Sequence, residues 1–182
     1  YALRPSTPEM EHKSLPQAYH EADEALERAQ AMHGHHKDLQ DTLTRGLAAA
    51  TNALNLVEQT HLFSKNETLD DVNTNDIKYL TLRHIIAELL LKTTDRQKRL
   101  PALRAALRSH HAFLEALEQL GALEGETRAG WEAARSDAPR ADPAATRELK
   151  IARYKASKAA TERLKYLRSK LALASKLEEE GL

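Results

Sequence analysis

Leu39, Leu43, Leu47, Ala50, Leu54 and Val57 recur at steps of three and four residues. On an α-helix that spacing gathers them into one apolar stripe; on a strand it would scatter them over both faces. Leu15, Tyr19, Ala22, Leu26 and Ala29 repeat the period, as do Ile77, Leu80, Leu82, Ile85, Ile86, Leu89 and Leu90. A chain written this way must bury stripes against stripes, which predicts an all-α fold. Composition agrees. Ala, Leu, Glu, Lys and Arg dominate, aromatic residues are 4%, and no segment reads as a strand.

The breaks between stripes set the organisation. Residues 1–13 read as a loose lead. Ser14 caps a first helix with Pro16 just inside it. GHHKD ends it, and a second helix is expected from about Asp38 to Phe63. NETLDDVNTND reads as a loop, with a third helix starting near Thr74 or Asn75. That helix is apolar nearly all round and belongs at the centre of a bundle. Asp95 caps a fourth, which continues to Leu123. Residues 121–145 mix Gly, Pro, Ala and charge, and read as a loop with at most a turn around Trp131. A long last helix is expected from Pro143 to Glu179. The expectation is one helical domain, an irregular antiparallel array without the tetratricopeptide signature. The chain begins without Met and stops in KLEEEGL, so it reads as a piece of a longer protein.

Function classes narrow by exclusion. The 27 basic and 27 acidic residues cancel, which argues against nucleic acid or a charged membrane surface as partner. No apolar run spans a bilayer. Without cysteine there is no disulfide, thiolate metal site or cysteine nucleophile. GxSxG, HExxH and phosphate-cradling glycine loops are missing. His33, His35 and His36 lie in a turn, and His110 and His111 sit mid-helix, where at most one faces inward. Asp70 and Asp71 sit in a solvated loop with nothing near in sequence to raise a pKa. The reading is a monomeric non-enzyme without metal or cofactor.

The last helix carries the strongest signal. Between Arg147 and Lys170 stand nine Lys or Arg and two acids, Glu148 and Glu162. At about 100° per residue, Leu149, Ala152, Ala156, Ala160, Arg163 and Leu167 share one side, expected to be the packing face, with Arg163 at its edge. Opposite them lie Arg147, Ile151, Tyr154, Lys158 and Lys165, flanked by Lys150 and Arg168. A basic surface around an aliphatic and an aromatic residue suits protein docking.

LDDVNTNDIKYL at 69–80, the apolar helix ending in AELLLKT, FLEALEQLGAL, and RELKIARYKASK at 147–158 occur in this order. Together they resemble the type 2A phosphatase-associated proteins, the alpha-four-like regulators of TOR signalling, over residues 14–180. The resemblance implies a tetratricopeptide- or 14-3-3-like helical array. It also implies a cytoplasmic, non-catalytic role: binding and stabilising the catalytic subunit of type 2A-class phosphatases. The Arg and Lys that carry phosphatase binding in that family correspond to Arg147 and Lys150. Tyr154, Lys155 and Lys158 are further candidates from the helix wheel. The family's acidic C-terminal part has no counterpart here, and DEALERAQAM lacks the closing Ser of a ubiquitin-interacting helix. A helical adaptor for acidic or phosphorylated peptides is the alternative reading of the same basic face. In the acidic turn, Leu69 and Val72 are expected to tuck inward. Asp70 and Asp71 are read as cap and loop support, or as partners of nearby basic residues.

Overall fold

A computed structural model describes residues 13–32, 37–64, 66–136 and 143–179. Among them are six α-helices and no strand: α1 (Leu15–Ala31), α2 (Leu39–Gln59), α3 (Leu82–Leu91), α4 (Arg99–Gln119), α5 (Gly125–Arg135) and α6 (Pro143–Glu179). Two short 3-10 turns, Leu69–Asp71 and Ile77–Thr81, precede α3. The chain divides into two units, residues 1–135 and 136–182. The loose lead read over 1–13 falls almost wholly outside the described residues, as do His33, His35 and His36.

In the first unit neighbouring helices run antiparallel. Ala29 shares a core cluster with Leu39 and Leu43, whereas Ala18 shares one with Ala53 and Val57. Leu82 meets the Val57 end of α2, and Leu89 the Leu43 end. The all-round apolar third helix is therefore central, touching α1, α2 and α4. Among the described residues, Leu43 of α2 and Leu82, Ile85 and Leu89 of α3 are the largest fully buried side chains. Each contributes about 1.5–3 kcal/mol by leaving water. The seam between α1 and α2 is lined by small residues: Ala18, Ala22, Ala25, Ala49, Ala50 and Ala53 are all buried. At Gly46 a Cβ would lie 2.6 Å from that of Ala25 and 3.1 Å from Leu89 Cδ1.

The helix ends follow local chemistry. The Gln17 side chain accepts the Ser14 amide at 3.1 Å, a capping-box contact. At the end of α2, His61 takes a left-handed φ of 49°, and the Leu62 amide reaches the Val57 carbonyl at 3.2 Å. Gly121 does the same for α4 at φ 69°, with Ala122 N donating to Leu117 O at 2.8 Å. Both ends are Schellman motifs. The Asp95 carboxylate accepts the Gln97 amide at 2.9 Å, one turn ahead of α4. The Arg99 guanidinium caps the α3 end by donating to the Leu91 and Thr93 carbonyls.

Two boundaries differ from the sequence reading. The third helix begins as a 3-10 turn at Ile77, because Asn73 and its neighbours are held in a turn that ties Ile77 N to Asn73 O. Residues 125–135 are a helix, α5, where a loop was expected. Trp131 is buried and organises it. Its indole Nε1 donates to Glu118 at 3.1 Å, Arg135 bonds the same carboxylate at 2.8 Å, and His111 meets the ring edge-on at 5.2 Å. A Gly-containing segment folds here because one large ring has a prepared seat on α4. Trp131→Ala should cost about 3–5 kcal/mol. Hydrogen exchange should show α5 amides losing protection while those of α1–α3 keep theirs; unchanged α5 protection would refute the anchoring role.

The acidic turn has a similar logic. Leu69 and Val72 are half-buried, and Asp70 and Asp71 stay exposed. The Leu69 amide donates to the Leu120 carbonyl at 2.9 Å, tying the turn to the end of α4. The Asp71 carboxylate accepts both the amide and the hydroxyl of Thr68, each at 2.8 Å. Those two bonds, the amide first, hold Asp71 below the ordinary aspartate value of 3.8. A lowered folded pKa means the cap stabilises the turn above the unfolded value and is lost as pH falls through the folded one. Carboxyl NMR should therefore find Asp71 titrating below 3.8, and Thr68→Val should move it back up.

Candidate functional site

α6 is 37 residues long, about 55 Å of continuous helix. Ala, Leu, Lys, Arg and Glu suit it to that length. Its internal bonds are those of a solvated helix: Lys165 pairs with Glu162 at 3.5 Å, and the Thr161 hydroxyl donates to the Ser157 carbonyl at 2.9 Å.

Every described side chain from Arg147 to Leu171 is exposed. The expected packing face is corrected by this. Leu149 and Leu167 are 41% and 42% exposed, and the stem of Arg163 is not buried. Instead its guanidinium lies over the Tyr166 ring at 5.6 Å, with the Lys170 ammonium at 5.7 Å. The wheel's division into a packing and an outward face does not hold, because periodicity cannot tell a buried stripe from one left open.

Arg147, Lys150, Lys155 and Lys158 are all exposed on this helix, with Tyr154 at 70% and Ile151 at 46%. The i to i+3 and i+4 spacings bring Arg147, Lys150, Ile151, Tyr154 and Lys158 onto adjoining turns. The result is a basic strip carrying an apolar and an aromatic contact. Asp70 and Asp71 belong to the other unit, where Asp71 bonds Thr68; neither acid pairs with a basic side chain among the described residues.

A second constellation lies between α3 and α4. His84 and Glu88 stand one turn apart on α3, and His110 faces them from α4. The His110 Nε2–Glu88 Oε1 distance is 3.5 Å, and the His84 ring lies 5.6 Å from those of His110 and Phe113. Burial lowers the His84 pKa, with His110 adding to the shift and Glu88 opposing it. His84 was missed in sequence, although His84-x-x-x-Glu88 is the i, i+4 spacing of a helical chelate. His110 and His111 were expected to place at most one ring inward. That holds: His110 is half-buried against α3, whereas His111 stays exposed with its ring against Trp131 of α5.

An open groove of about 830 Å³, lined by Met32, Leu39, Leu91, Leu100 and Leu103 with Arg96 and Arg99, lies at one end of the first unit. No helix among the described residues is long and apolar enough to cross a membrane.

Comparison with known proteins bears on the whole length. Residues 15–182 match the model of the TAP42-like family. Similar relatives include the PP2A regulatory subunit TAP46 of Arabidopsis thaliana, 36% identical over 129 residues. Those of Nicotiana tabacum and Oryza sativa subsp. japonica are 33% and 32% identical over the same length. Each alignment covers 69% of this chain and 29–30% of the relative, so the chain spans under a third of their length. With a family match from the first helix to the last, this chain belongs to the TAP42-like family.

Proposed function

We propose that this chain is a non-catalytic regulatory module that binds the catalytic subunit of a type 2A-class Ser/Thr phosphatase. It does so through the basic face of α6, with Arg147 and Lys150 as the principal contacts and Tyr154, Lys155 and Lys158 beside them. The observation that carries this reading is the unburied face itself: cations around a 70%-exposed tyrosine, on a helix with no buried side chain among its described residues. Exposed apolar contacts rimmed by charge are what an interface leaves open before its partner arrives. That relatives are named PP2A regulatory subunits supports a phosphatase as that partner. The long-range field of the strip draws an acidic surface toward it, and Tyr154 and Ile151 give the short-range burial. The role proposed with it, which the family resemblance implies, is stabilising that catalytic subunit in the cytoplasm under TOR control.

The test is capture of purified type 2A catalytic subunit by this chain, beside the Arg147→Glu, Lys150→Asp variant and with a phosphopeptide competitor. Capture by the wild type alone, insensitive to the peptide, supports the reading. Capture of phosphopeptide and not of phosphatase would replace it with the adaptor function. Equal capture by wild type and variant would remove the site assignment.

A further inference from the structure

We propose that His84, Glu88 and His110 form a site for a single divalent transition-metal ion of the Zn²⁺ class, clamping α3 to α4. The donor set is two imidazoles and one carboxylate, a combination that holds Zn²⁺ with one position left for water or a partner's side chain. One donor atom from each residue lies within 4.8 Å of the other two. Tetrahedral coordination at about 2.1 Å separates ligands by roughly 3.4 Å. The His110–Glu88 edge, at 3.5 Å, already has that length. Only His84 has to close, by at most about 1.4 Å, within reach of a side-chain torsion.

The backbone makes the arrangement dependable. His84 and Glu88 stand four residues apart on one helix, so their relative position is fixed by the helix itself. Flanking Ile85 and Leu89 are 2% and 0% exposed and anchor that helix in the core. Phe113 limits the swing of the His84 ring from the other side. His110 and Glu88 are 30% and 29% exposed, which leaves a path for an ion to enter. This differs from a surface cluster of acids: two of the three donors are imidazoles, and they come from two helices. A bound ion would add a link between two helices already joined by packing and by the Arg99 bond to the Leu91 carbonyl, and would stabilise the folded array by mass action.

The experiment titrates the metal-free chain with Zn²⁺ and, as a spectroscopic probe, Co²⁺. One ion per chain is expected, with a rise in melting temperature and shifts of the His84 and His110 imidazole signals in NMR of the wild-type protein. His110→Gln and Glu88→Gln should each bind at least about 100-fold more weakly, while His111→Gln binds normally. A joint His33→Gln, His35→Gln, His36→Gln variant should also retain the site. Binding that vanishes only in that triple variant would overturn the proposal. So would Zn²⁺ titration that leaves the His84 and His110 signals unmoved, a readout needing no variant to fold.

Discussion

Gly46→Leu should leave no cooperative unfolding transition at 25 °C. Gly46→Ala should lower stability by up to about 2 kcal/mol, although alanine is the better helix former. Propensity alone favours Ala over Gly by about 1 kcal/mol inside a helix. Here the added methyl would stand 2.6 Å from the Ala25 Cβ. That atom is fixed to the α1 backbone and cannot rotate away, so the two helices must separate. Leu89 Cδ1, at 3.1 Å, can yield by a small torsion. Overpacking of this kind costs about 1–3 kcal/mol, which outweighs the propensity gain. A leucine adds three more carbons at the same contact. The Ala25→Gly, Gly46→Ala pair separates the causes. Removing the opposing methyl relieves the clash, so the double variant should be more stable than the sum of the two single changes. Denaturant melts of the four proteins check this. Additive effects would show that Gly46 is not a close-approach position.

The second large effect is on binding. Arg147→Glu with Lys150→Asp changes the local charge by four, since two cations become two anions, and should abolish capture of the phosphatase catalytic subunit. Both side chains are exposed, so the folded chain loses no buried partner. Surface substitutions away from such features usually stay within about 0.5 kcal/mol, and circular dichroism and the melting temperature should be unchanged. The reversal acts twice. It weakens the steering field and places like charges against the partner's acidic surface. Raising salt should mimic the first effect only, because exposed charges are screened over about 8 Å at physiological ionic strength. Tyr154→Ala should slow association little and speed dissociation, as expected for a desolvated aromatic contact. Undiminished capture by the charge-reversed protein would move the interface elsewhere on the chain.

Much of the fold was legible residue by residue. The stripes of α1, α2 and α3 named half of the buried core, including Leu43, Leu82, Ile85 and Leu89, and Ser14 marked its helix start. The small residues Ala18, Ala25, Gly46, Ala49 and Ala53 escaped notice, because a hydrophobic stripe is read from large side chains, whereas close approach depends on small ones. α5 was hidden because Gly125 and Gly130 resemble a loop, and its helix depends on the seat that α4 gives Trp131. The site was legible differently. Motif order pointed to Arg147 and Lys150, and the wheel put them on one side of α6. That the opposite side is also exposed was outside its reach.

Local patterns therefore determined the all-α class, the central place of the third helix and the basic strip of α6, because each depends on spacing along one helix. Only tertiary structure decided which helix faces meet. That choice set Gly46 against Ala25, seated Trp131 on Glu118 and brought His110 to His84 and Glu88. These contacts join residues far apart in sequence, and their geometry follows from how neighbouring helices fill space together.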